Sequence, residues 1–261
     1  MKNKNYGGLY VLGLLIVLGL KRYARLAGAE ELLWLLGPTA RWAGMLLKVS
    51  FFYESGVGFV NRSLRFIIAP ECAGLRFLMI AFLMLCWSFV HRMGSLQKGL
   101  LWTLLSLPVS CMVTVFVNGI RIALAILLPP LLSGPEGGKG GITSGQLHTA
   151  IGTMVYFLSL LALYRIGDGI SRKIAGMEKE RSFLSRLLPV VWYLGPVLGF
   201  PLLSRMAYGD FADFAGYELP VLLVCGSVLL ILGLLALSKK RFLRLYRNER
   251  RGKGFFMSYR T

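Results

Sequence analysis

Apolar residues along this chain fall into long blocks separated by short basic, acidic or Gly-rich stretches, and the block lengths predict membrane-crossing helices. A helix rises about 1.5 Å per residue, so about 20 residues cross a hydrocarbon core roughly 30 Å thick. The first block, Leu9 to Leu20, follows Lys2 and Lys4. Ala27-Gly28-Ala29 has the form of a signal-peptide cleavage site, but the charged stretch Lys21 to Arg25 in front of it is wrong for that region, so the block reads as a retained helix. Leu32 to Leu47 is interrupted by Gly37-Pro38 and Arg41 and fits a span or a half-buried surface element equally well. Phe77 to Val90 is a span with Cys72 before it and His91-Arg92 after it. The block from Gly99 to Leu132 is too long for one ordinary span and short for two. Asn118-Gly119 lies past its middle and Pro129-Pro130 near its end, so its second half is expected to be a re-entrant or tilted half-helix. After the Gly-rich stretch Ser133 to Gly145, a further block runs from His148 to about Arg165. Two more spans, about Leu187 to Ala207 and Leu219 to Leu237, precede the C-terminal tail.

Composition agrees with this pattern: 56% of the residues are hydrophobic and mean hydropathy is +0.63. The expected fold is an all-α polytopic transmembrane bundle of six to eight membrane segments, one of them the half-helix. The net charge of +18 would suit nucleic acid, but the Lys and Arg lie in short runs between apolar blocks and in the tail, which is the distribution of cytoplasmic anchoring and contact with membrane lipids. No nucleic-acid partner is expected. Four cysteines, Cys72, Cys86, Cys111 and Cys225, contain no C-x-x-C pair, and three lie inside apolar blocks. Neither a metal site nor a disulfide framework is indicated, and no cofactor is expected.

Charge also orients the chain. Residues 165–186 carry six basic and three acidic side chains and the tail after Ser238 nine basic and one acidic, so both are expected in the cytoplasm. Tyr208 to Glu218 holds Asp210, Asp213 and Glu218 with no base, as suits the outer face. Counting back, Cys72, Arg121 and His148 all fall at the outer face of a cell membrane. This holds only if 99–132 crosses once; two full spans there would put Cys72 and His148 on opposite sides.

Three residue types of complementary chemistry thus meet at one level. A cysteine peptidase needs a thiolate, a group that moves protons and a donor for the oxyanion of the tetrahedral intermediate. If a helix starts near Ala73, the dipole and free N–H groups at its end favour the Cys72 thiolate, and Arg76 one turn on acts in the same sense. Asn118 lies on the same helical face as Arg121, three residues earlier, and is placed to orient it. Glu71 is a further supporting candidate. The bland alternatives are an inert core cysteine, a snorkelling arginine and an interfacial histidine. Other motifs fail: 133–145 lacks the first glycine and the Ser or Thr of a phosphate-binding loop, and neither H-E-x-x-H nor G-x-S-x-G occurs.

Glu71-Cys72-Ala73-Gly74, Asn118-Gly119-Ile120-Arg121-Ile122 and His148, in that order, resemble the motifs of the exosortase/archaeosortase family over about residues 10–165, and the Cys-Ala-Gly form resembles its exosortase K group. The resemblance implies a transpeptidase-like cysteine enzyme with Cys72 as nucleophile, Arg121 as transition-state stabiliser and His148 as acid/base. It implies protein substrates that end in a short motif, a transmembrane helix and a basic tail. On this basis 1–165 is the catalytic core, 166–186 a basic cytoplasmic loop, 187–238 a two-span extension and 239–261 a basic cytoplasmic tail. Two other readings stand beside it. One is a transporter or flippase-like protein that binds an anionic group at Arg121 in a broken helix; the other is a membrane scaffold that uses its basic tail.

Overall fold

A computed structural model of the chain describes residues 6–132, 144–177, 188–198 and 221–231. The Gly-rich stretch up to Thr143, the acidic stretch 208–218, the basic tail and part of the basic loop lie outside these residues. Within them the chain forms α1 (Gly7–Leu26), α2 (Leu33–Leu47), strands β1 (Phe52–Glu54), β2 (Gly58–Asn61) and β3 (Phe66–Ile68), a one-turn 3-10 helix (Pro70–Ala73), α3 (Leu75–Phe89), α4 (Leu96–Leu132) and α5 (Ser144–Ala175). Two shorter apolar helices, α6 (Leu188–Leu198) and α7 (Val221–Ile231), follow. Among the described residues, three segments are long and apolar enough to cross a membrane, Pro70–Arg92, Leu96–Leu128 and Leu147–Ala175. The chain is a multi-pass, all-α membrane protein.

Two polar layers mark the ends of this three-helix bundle. At one end Arg92, just past α3, donates to Asp168 of α5 at 2.7 Å and to Ser171 at 3.0 Å, while Arg172 holds the same carboxylate at 2.9 Å. At the other end lie Cys72, Asn118, Arg121 and His148. Cys72 and Arg92 are twenty residues apart, as are Lys98 and Asn118 and likewise His148 and Asp168. On a helix that spacing spans about 30 Å, one hydrocarbon thickness. Between the layers α3, α4 and α5 pack around Phe77, Ala81, Leu85, Phe89, Phe157 and Leu160. Tyr193 of α6 lies on Phe157 at 5.1 Å and donates to the Thr153 carbonyl, so α6 is seated on the bundle.

The second half of the long block is not a half-helix. α4 is one unbroken helix of 37 residues, about 55 Å, and passes straight through Asn118-Gly119. Polar residues on its buried face are satisfied within the helix: Thr103, Ser106, Ser110 and Thr114 each donate to the carbonyl four residues back at 2.7–3.0 Å. Gly119 is a packing residue rather than a hinge. A Cβ there would stand 2.3 Å from Cδ1 of Trp42, which is stacked on Phe116 at 5.0 Å and donates to its carbonyl.

α4 therefore extends beyond the site layer by the eleven residues after Arg121, and this end is not bare. α2, the half-buried element of 32–47, lays Leu35, Leu36, Ala40 and Ala43 into a second core with Ile68, Ala73, Leu78 and Ile122. The strands, which the apolar blocks did not foretell, form an antiparallel sheet in the order β1-β2-β3, with Phe59 opposite Ile68 and Asn61 opposite Phe66. Asn61 closes the β2–β3 turn by donating to the Ser50 carbonyl and accepting from the Leu64 N–H. The sheet and α2 thus form a small cap, and β3 leads through Ala69 directly into the turn that carries Cys72.

Candidate active site

Cys72 sits in the 3-10 turn Pro70–Ala73, where proline opens the turn and the Cys72 N–H returns to the Ala69 carbonyl at 2.8 Å. α3 begins at Leu75 rather than near Ala73, so the thiol lies two residues before the N-cap, Gly74. The dipole of α3, which acts within about one turn, therefore bears less on the thiol. Glu71 and Arg76 are exposed, and neither side chain forms a hydrogen bond or ion pair with another described residue. The structure does not bring these two into the site.

Gly74 joins the turn to the helix at φ 77°, ψ 15°, a left-handed conformation that glycine adopts without steric cost. It is also an approach point, since a Cβ there would lie 3.0 Å from Cγ2 of Thr114 and 3.2 Å from Cγ of Asn118. Both properties bring α4 up to the cysteine turn. Gly74→Ala is therefore expected to cost about 1–2 kcal/mol in backbone strain alone and to push Asn118 from Cys72. A lower unfolding temperature in detergent together with reduced activity is the expected result; an unchanged unfolding temperature would show that the close approach is unnecessary.

Asn118 is fully buried and joins the parts. Its Nδ2 donates to the Cys72 carbonyl, while its Oδ1 accepts from Arg121 Nε at 3.0 Å and from the Tyr156 hydroxyl at 2.8 Å. Two donors on the oxygen leave only one orientation for the amide, with nitrogen toward Cys72. Arg121, 8% exposed, sits on α4 three residues later, where side chains share a helix face. Its NH1 lies 3.3 Å from Nε2 of His148, and its guanidinium carbon is 5.6 Å from the centre of the Tyr156 ring. Arginine only donates, so in this arrangement His148 accepts at Nε2 and is the neutral tautomer with its proton on Nδ1. Among the described residues no carboxylate forms an ion pair with Arg121. A buried guanidinium without a counter-ion is costly, and such residues at membrane depth mark binding or catalysis.

The structure thus brings four predicted residues into one cluster: the Cys72 backbone, Asn118, Arg121 and His148. It does not hydrogen-bond the Cys72 thiol to His148, whose Nε2 faces Arg121 instead. The thiol is half-buried and His148 exposed. Tyr156 escaped the sequence reading because a tyrosine inside an apolar block resembles core. The available signal was spacing: His148, Gly152 and Tyr156 recur every four residues on α5. The unbroken course of α4 through Arg121 also removes the broken helix on which the transporter reading relied.

A buried cationic donor thus lies beside a histidine and the cysteine turn at one end of a membrane bundle. A family model described as transmembrane exosortase matches residues 8–165, more than half of the chain, and the chain belongs to that family. No curated protein and no solved structure matches. The matched region ends at Arg165, so α6 and α7 lie outside it.

Proposed function

We propose that this protein is a membrane-embedded cysteine peptidase or transpeptidase that cuts the C-terminal sorting signals of membrane-anchored proteins at the outer face of the cell membrane. The Cys72 thiolate attacks the scissile carbonyl, and the resulting oxyanion is held by N–H groups of Arg121 not engaged by Asn118 and His148. The C–N bond breaks, the amine leaves with a proton delivered through His148, and a Cys72 thioester remains. Water or a second amine then attacks that thioester, releases the acyl product and restores the thiol. To act as base in this second step, and in removing the Cys72 proton in the first, the neutral His148 gives up its contact with Arg121 so that Nε2 is free to take the proton.

The observation that carries the reading is the Asn118 bridge, which ties the backbone of the cysteine turn to the same arginine that reaches the histidine. A substrate anchored by its own C-terminal helix presents the peptide just outside its span, at the level of this layer. The test is co-expression with a membrane-anchored protein ending in a short motif, an apolar helix and a basic tail, followed by size on a blot. Wild type is expected to shorten it. In a variant keeping Cys72 as its only cysteine, a membrane-impermeant maleimide applied to intact cells is expected to label it; labelling only from inverted vesicles would overturn the outer-face assignment.

A further inference from the structure

One face of α5 forms a cradle for Arg121. His148 meets the tip of its guanidinium, Gly152 lies one turn further along, and Tyr156 one turn beyond that. A Cβ on Gly152 would stand 3.7 Å from Arg121 Cδ, in van der Waals contact with the arginine stem. Tyr156 is itself fixed, its ring stacked on Phe77 of α3 at 4.9 Å with planes 16° apart. Its hydroxyl fills the second acceptor site of Asn118 Oδ1. One tyrosine therefore touches α3 through its ring face, α4 through its hydroxyl and the guanidinium through its π system.

We propose that Tyr156 is a positioning residue for the reaction: through its hydroxyl it locks the Asn118 amide that aligns the Cys72 turn with Arg121. The inference rests on the reading of Cys72, Arg121 and His148 as the reacting set. Tyr156 does not itself touch the scissile bond in this scheme. Without its hydroxyl, Asn118 Oδ1 keeps only the Arg121 Nε–H, and the amide oxygen loses the one of its two anchors that comes from outside α4. The cysteine carbonyl and the guanidinium can then drift relative to each other, and small misplacements of this kind lower the rate of the chemical step.

Tyr156→Phe separates this role from packing, because it keeps the ring on Phe77 and beside Arg121 and removes one oxygen. Initial rates would be measured with full-length protein in detergent and the tagged sorting-signal substrate, normalised to accumulated enzyme. The expected result is kcat lowered about tenfold, the scale of one lost hydrogen bond in the transition state, with KM nearly unchanged. On an Asn118→Ala background the same substitution is expected to have no further effect, because the hydroxyl has lost its acceptor. A wild-type rate for Tyr156→Phe, or a loss that multiplies in full on the Asn118→Ala background, would overturn the assignment. Cys72→Ala run in parallel keeps the two levels apart. If it is inactive while Tyr156→Phe behaves as wild type, only the tyrosine inference fails; if it is as active as wild type, the catalytic reading fails and takes this one with it.

Discussion

Cys72→Ala is expected to leave a sorting-signal substrate at full length while the variant accumulates normally. The substitution removes one sulfur from a half-buried position where the thiol has no hydrogen bond with a described residue, so its effect on folding is small, within about 1 kcal/mol. Its effect on turnover is expected to be at least about a thousandfold, because neither Arg121 nor His148 can replace the nucleophile and loss of a covalent catalyst typically costs more than that. The contrast with another cysteine sharpens the test. Cys86 is fully buried with Sγ 3.4 Å from Thr103 Oγ1, in the middle of the α3–α4 packing. Cys86→Ala should therefore reduce stability and leave processing per folded molecule unchanged. Processing that survives in Cys72→Ala at the wild-type rate would exclude thioester chemistry at this residue.

The parts of this molecule that the sequence discloses are those set by the membrane. Hydrocarbon tolerates only apolar, internally hydrogen-bonded segments, so the spans that carry Cys72 and His148 stand out as apolar blocks. Their ends agree with the polar layers at Cys72 and Arg92 and at His148 and Asp168. The common level of Cys72, Arg121 and His148 follows from a single crossing of 99–132, which α4 makes. Asn118-Gly119 is where sequence and structure part. Ordinarily the pair signals a turn, because asparagine competes for backbone hydrogen bonds and glycine loosens a helix. Here the asparagine side chain is spent on Cys72, Arg121 and Tyr156, and the glycine admits Trp42, so tertiary contacts override both local preferences.

The cap was illegible for a different reason. Strands of three or four residues such as Phe52–Glu54 and Phe66–Ile68 are too short to show an alternation, and Ser55-Gly56 and Ser63 between them look like ordinary loop. Pairing with one another and packing on α2 give them their structure. The cap nevertheless decides where Cys72 sits, because Ile68 is anchored in its core and only Ala69, Pro70 and Glu71 lie between the two. The matching anchor on the other side is Leu75, which packs into the same core. The cysteine turn is thus held at both ends, while Arg121 and His148 come from α4 and α5 of the bundle. The site is a seam between cap and bundle, and Asn118 is the side chain that crosses it.

Arg121→Lys is expected to lower kcat about a hundred- to a thousandfold with little loss of folded protein. The charge is preserved, so a role for positive charge alone predicts a mild effect. The geometry predicts a severe one. Guanidinium is a planar fork that donates from Nε to Asn118, from NH1 to His148 and still directs further N–H groups elsewhere. A lysine ammonium is a single point at the end of a flexible stem and cannot span Asn118 and His148 while also facing an oxyanion. Removal of one oxyanion donor typically costs this factor. Lysine at so buried a position also gives up its proton more readily than arginine, which deepens the loss. Rates for Cys72→Ala and Arg121→Lys together separate the classes of function. Loss in both, with His148 variants intermediate, is the pattern of covalent catalysis assisted by a fixed cation. Loss in Arg121→Lys alone, with Cys72→Ala active, would leave an anion-binding role for the arginine and no nucleophile. A rate for Arg121→Lys within threefold of wild type would mean that the fork makes no contact with the transition state.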